Sequence, residues 1–126
     1  MGEKGVPFVV LVHHTDGVPV VKVSGELDIL SAEKFRGALE RIVSEAGEVG
    51  RDRTPVVVVD LSGVDFMDSC GLSALAGATR GFRQSGGEIR LVTKGSPVVR
   101  TLGVTGLLCV FDLFPDVSTA VRRGVA

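Results

Sequence analysis

The run from Pro55 through Val56, Val57, Val58, Val59 and Asp60 to Leu61 limits the fold more than any other stretch of the chain. A strand with one wet face alternates apolar and polar residues. Val56 to Leu61 hardly alternates, so it reads as a strand buried on both faces, the kind found in parallel sheets with helices packed over them.

The flanking sequence supplies the partners such a strand needs. Residues 8–14 (FVVLVHH) and 18–24 (VPVVKVS) are rich in β-branched residues and are joined by Thr15-Asp16-Gly17, which predicts a hairpin. Ser31 then offers an N-cap, and Phe35, Leu39, Ile42 and Ala46 recur at helical spacing up to Gly47, before the polar connector EVGRDRT. After the buried strand, SGVDFMD reads as a loop. Leu72, Leu75, Ala76, Thr79 and Phe82 follow as a helix stopped by Gly86-Gly87. EIRLVT is a further strand, Ser96-Pro97 opens a short helix that Gly106 ends, LCVFDLF is a last strand, and Asp116 caps a final helix carrying Val117, Ala120 and Val121. The pattern predicts a single α/β domain over residues 1–126: a mixed, mostly parallel β-sheet packed with about four α-helices and linked by right-handed crossovers.

Several function classes fall away on composition. The chain has 126 residues, 44% of them hydrophobic, enough for one core. No apolar run approaches membrane-spanning length and the start MGEKGVPFVV has no secretory character, so a cytoplasmic protein is expected, with no membrane partner. The formal net charge is −1, with six Phe and no Trp or Tyr; neither a basic footprint nor stacking platforms for nucleic acid are present. Cys70 and Cys109 lack CxxC spacing, and His13 and His14 lack a second ligand cluster, so the thiols read as core residues in a reducing compartment and no metal is expected.

In a parallel sheet, sites gather at the C-terminal ends of strands, where Asp68-Ser69-Cys70-Gly71-Leu72 lies. A Ser on a strand-to-helix turn suggests a hydrolase nucleophile, but Met67 and Gly71 flank it where an elbow needs two glycines, and the histidines sit in the first strand. A nucleotide cradle needs several glycines and a basic clamp; this loop supplies one Gly and an acid that repels phosphate. What the site suits better is a phosphate attached covalently to Ser69. The plainer reading, in which Ser69 only caps the helix, is compatible with it, and Asp68 reads alternatively as a second capping acid or a solvated loop charge.

With these residues in view the chain resembles the STAS domains, and among them the anti-sigma factor antagonists of bacteria, over nearly its whole length. VSGELDILSAEKF is similar to the family's Gly-Glu-Leu-Asp turn and first helix, VVVVDLSGVDFMDSCGLSAL to its phosphorylated Asp-Ser-Ser/Thr-Gly-Leu strand–loop–helix, and GGEIRLVTKGSPVVRTLGVTGL to the strand and helix that follow. The resemblance implies a regulator of transcription, in stress-response or sporulation pathways, that is not an enzyme. Unphosphorylated, it binds an anti-sigma factor that is also a serine kinase and so frees a sigma factor. Phosphorylation of Ser69 releases it, and a serine phosphatase restores it. The chain itself takes no cofactor; ATP and Mg²⁺ belong to the kinase. Mapped onto this sequence, the partner-facing residues are Glu26, Asp28, Asp68, Ser69, Cys70, Gly71 and Leu72. Asp28 and Glu26 also read as local turn residues. Cys70 departs from the family's usual Ser or Thr. It leaves the acceptor intact, removes a neighbouring hydroxyl, and reads either as a small half-buried side chain or as a redox-sensitive thiol.

A different class of function, a non-switching STAS scaffold or ligand-sensing module in a larger assembly, predicts stable higher-order association and no dependence on Ser69. A nucleotide-binding module is a third reading, weakened by the missing basic clamp.

Overall fold

The computed structural model describes residues 7–49, 54–94, 97–104 and 111–123. The elements run β1 (Val9–Thr15), β2 (Val18–Leu27), α1 (Ala32–Val49), β3 (Val56–Met67), α2 (Ser69–Gln84), β4 (Glu88–Val92), α3 (Val98–Val104), β5 (Asp112–Phe114) and α4 (Val117–Arg123). This is the alternation read from the sequence. The expectations for Ser96, Gly106 and Cys109, and for connector residues 50–53, lie outside the described residues.

The five strands form one sheet in chain order, β1-β2-β3-β4-β5. β1 pairs antiparallel with β2, and the other three pairings are parallel. The hairpin turns on Asp16 and Gly17, whose φ values of 53° and 81° are the two positive angles that a type I′ turn requires. β3 is the buried spine. Val57, Val59 and Leu61 belong to a large core with Phe35 and Leu39 of α1, Leu72, Leu75 and Phe82 of α2, and Leu102 of α3. Val56 and Val58 belong to a smaller core with Val20, Val92, Phe114, and Ala120 and Val121 of α4. Core residues on both sides explain why the run Val56 to Leu61 does not alternate.

Arg90 shows how a charge enters this interior. It is 7% exposed, its Nε donates to Glu88 Oε2 at 2.9 Å, its Nη1 donates to the Ala120 carbonyl at 2.9 Å, and its guanidinium lies 5.7 Å from the Phe114 ring centre. Hydrogen bonds and an aromatic face offset the loss of water, and the residue ties β4 to α4. Asp116 caps α4 as expected, its Oδ1 accepting from the Thr119 N–H at 2.8 Å. α2 ends in a Schellman motif: Gly87 N–H donates to Phe82 O at 2.8 Å, Gly86 N–H to Arg83 O at 3.0 Å, and Gly86 has φ +95°.

Three expectations are corrected. α1 runs past Gly47 to Val49, because a glycine with no positive φ and open space around it does not stop a helix. SGVDFMD is not a loop: β3 continues through Met67 beside β2. It does so by bulging. β3 advances three residues from Asp60 to Gly63 while β2 advances two from Lys22 to Ser24, and two from Val64 to Phe66 while β2 advances one from Gly25 to Glu26. The third correction, how α1 and α2 are capped, belongs to the site. Among the described residues no helix is long and apolar enough to cross a membrane.

Candidate functional site

The ends of β2 and β3 are adjacent: Leu27 pairs with Met67, and the Asp68 N–H donates to the Leu27 carbonyl at 3.1 Å. Asp28 and Asp68 are the next residues of their strands, so the two acidic turns sit side by side at one end of the sheet.

Asp68, not Ser69, caps α2. Its backbone is extended (φ −102°, ψ −171°), and its Oδ1 accepts from the Cys70 N–H at 2.9 Å and the Gly71 N–H at 3.2 Å. A carboxylate satisfies the same free N–H groups as a hydroxyl and adds a favourable charge at the positive end of the helix dipole. Ser69 is thereby moved into the first helical turn. It is exposed, and its Oγ makes no hydrogen bond among the described residues.

The other loop residues shape the turn. Cys70 is a free, half-buried thiol. Gly71 is buried against β2: a Cβ there would stand 2.6 Å from the Leu27 carbonyl oxygen. Leu72 is 9% exposed and belongs to the large core. Gly71 and Leu72 therefore anchor the loop from beneath, while Ser69 faces solvent.

The Gly-Glu-Leu-Asp turn is stitched by Asp28 and Ser31. Asp28 Oδ1 accepts from the Leu30 N–H at 3.0 Å and the Ser31 N–H at 3.2 Å, and Asp28 O accepts from Ala32 N–H at 2.8 Å. Ser31 was expected to cap α1 through its hydroxyl. Its backbone carbonyl does start the helix, accepting from Phe35 N–H at 3.0 Å, but its buried Oγ turns back, donating to Glu26 O at 2.8 Å and accepting from Asp28 N–H at 3.0 Å. Asp28 does the local work that its sequence context suggested, in the turn next to Asp68.

Three exposed hydrophobic residues frame these acids: Ile29 at 68%, Leu30 at 88% and Phe66 at 49% exposure. Phe66 pairs in register with Glu26. Leu30 lines a shallow groove of about 270 Å³ with Phe8, Glu26, Asp28, Ser31 and Lys34. None of the three apolar residues stood out in the sequence, although two large aliphatic residues inside a turn, as in Leu27-Asp28-Ile29-Leu30, are an available signal.

Hydrolase geometry is not assembled. His13 pairs with Val20 at the start of β2, the end of the sheet opposite Leu27, so no described histidine reaches Ser69. Among the described residues no cluster of His, Cys, Asp or Glu is placed to hold a metal ion.

Residues 10–120 match the STAS domain family model. The chain belongs to the STAS family. Within that family it is similar to the anti-sigma-F factor antagonist RsfB of Mycobacterium tuberculosis, 37% identical over 112 residues that span 86% of this chain and 85% of that protein. The crystal structure of an anti-sigma factor antagonist from Mycobacterium paratuberculosis superposes with a TM-score of 0.80 at 32% identity, covering 95% of this STAS chain and 96% of that one. The phosphorylated form of the Bacillus protein SpoIIAA shares the STAS fold, with a TM-score of 0.66 at 20% identity and coverage of 91% and 98%.

Proposed function

We propose that this STAS protein is an anti-sigma factor antagonist switched at Ser69. Unmodified, it binds an anti-sigma factor that is also a serine kinase, through the surface formed by Ile29, Leu30, Phe66 and the acids Glu26, Asp28 and Asp68. Phosphorylation of Ser69 ends the interaction, and a serine phosphatase restores it. The chain acts as ligand and substrate, not as catalyst; ATP and Mg²⁺ are the kinase's.

One observation carries the reading. Because Asp68 holds the helix end, the Ser69 hydroxyl is exposed and makes no hydrogen bond among the described residues. A phosphate there adds about −1.5 to −2 charges beside Asp68 without dismantling the cap. Repulsion and desolvation against a closely packed partner need supply only about 2.7 kcal/mol for a hundredfold loss of affinity. The exposed apolar residues fit a partner surface that is apolar at its centre and basic at its rim.

The test is to incubate the protein with ATP and the anti-sigma kinases of its host, identify the modified residue by mass spectrometry, and titrate Ser69→Ala and Ser69→Asp against the partner by calorimetry. Phosphate on Ser69, with weaker binding by Ser69→Asp than by Ser69→Ala, is the expected result. Phosphorylation elsewhere, or equal affinities, overturns the proposal.

A further inference from the structure

We propose that Asp60, on β3 well before the acceptor loop, is a positioning residue for Ser69. The inference rests on the switching role proposed for Ser69 and assigns the group that sets its placement.

Asp60 is 7% exposed, yet no cation pairs with it within 4 Å among the described ion pairs. Its Oδ1 accepts from the Ser62 N–H at 3.0 Å and the Ser62 Oγ–H at 2.7 Å. This is where β3 takes its first extra residue against β2, between Asp60 opposite Lys22 and Gly63 opposite Ser24. A bulge leaves backbone groups outside the ladder, and here the buried carboxylate takes one of them. Gly63 completes the bulge: a Cβ on it would stand 2.9 Å from Ser24 Cβ, so the strands approach closely only with glycine there.

The bulge sets the phase of everything after it. The residues of β3 in the large core are Val57, Val59, Leu61, Val64 and Met67: steps of two up to Leu61, then two steps of three. Each longer step marks one bulge. Without the first, the strand would arrive at α2 one residue out of phase, and a one-residue slip exchanges the two faces. Phe66, now 49% exposed, would trade places with Met67, now 5% exposed. Asp68 would leave the capping position that keeps Ser69 free. Asp60 thus acts on the acceptor through strand register, without touching it.

The experiment compares wild type with Asp60→Leu, Asp60→Asn and Ser62→Ala in the full chain. Asp60→Asn keeps an oxygen acceptor, and Ser62→Ala removes only one bond at an exposed residue, so both are expected to fold. Amide NMR of the unmodified proteins reads the placement directly. Asp60→Leu should shift the signals of Phe66 to Gly71, and Asp60→Asn should return them. With the cognate kinase, kcat/KM for Ser69 phosphorylation should fall about tenfold or more in Asp60→Leu, the scale of a misplaced reacting group, and recover in Asp60→Asn. Unmoved signals at Phe66 to Gly71, a wild-type kcat/KM in Asp60→Leu, or failure of Asp60→Asn to rescue each overturn the assignment. Absence of phosphate on wild-type Ser69 would instead defeat the switching role, and the NMR comparison would still decide the role of Asp60. Ser62→Ala, which keeps the bond from the Ser62 N–H to Asp60, should leave these signals as in wild type. Should Asp60→Leu not fold, Asp60→Ala, which removes the acceptor without adding bulk, decides: signals from Phe66 to Gly71 that match wild type overturn the proposal, and displaced ones support it.

Discussion

The carbonyl oxygen of Leu27 lies 2.6 Å from the point where a Cβ on Gly71 would stand. Helix α2 is therefore seated on the end of β2 at a separation only glycine permits, and its first turn can be neither raised nor rotated without loosening that contact. Gly71→Ala should destabilise the protein by about 1–3 kcal/mol, the usual range for overpacking, since the opposing atom is backbone and cannot swing aside. Urea denaturation measures the change; a loss within experimental error would mean that the helix end is free to shift.

The division of labour between Asp68 and Ser69 gives a second prediction. Asp68→Ala removes the group that accepts from Cys70 and Gly71 and should cost about 1 kcal/mol, within the 0.5–2 kcal/mol seen for lost caps. Ser69→Ala removes a hydroxyl with no partner among the described residues and should stay within about 0.5 kcal/mol of wild type. Equal costs for the two variants would return the capping role to Ser69.

Leu30, 88% exposed, separates binding from folding. Leu30→Ser should leave stability within about 0.5 kcal/mol of wild type. Its affinity for the anti-sigma partner should fall about tenfold, on the order of 1.4 kcal/mol, as for an apolar anchor in an interface. Unchanged affinity by calorimetry would exclude Leu30 from the contact surface.

Acid should weaken the pairing of Glu88 with Arg90 on β4. The hydrogen bond donated by Arg90 is the main reason that the Glu88 carboxyl is held below its ordinary value of 4.5, with partial burial opposing it. A depressed folded pKa means that the pairing contributes its full stability above 4.5 and loses it as pH falls through the lower, folded value. The stability gap between wild type and Glu88→Gln should accordingly be constant from neutral pH down to about 4.5 and close below it. A gap that persists unchanged in strong acid would show that Glu88 acts by packing.

Much of this was legible beforehand, for identifiable reasons. The valine run announced a strand with two covered faces, and the Asp16-Gly17, Gly86-Gly87 and Asp116 signals each mark a backbone need that few residues meet. The second half of β3 was not legible. Its core residues step by three at Leu61, Val64 and Met67, which is neither the strand period nor a helix stripe, so bulged strand and loop look alike in one dimension. The cap stays open between Ser69 and Asp68 in the sequence because the two are adjacent and both are good capping residues; only the phase of the preceding strand decides between them. The apolar frame of Ile29, Leu30 and Phe66 stayed hidden because exposure is a property of the assembled sheet.

The strict chain order of the sheet reaches beyond the folded state. Among the described residues every strand pairs only with the strand before or after it in the chain. Only the β1–β2 hairpin closes a short loop; each parallel pairing closes over one crossover helix, and assembly can proceed from the hairpin toward the C-terminus as the chain leaves the ribosome. The surface bearing Ser69 is built from the ends of β2 and β3 and the start of α2, all of which precede β4, α3, β5 and α4 in the chain, so its parts are the first to leave the ribosome.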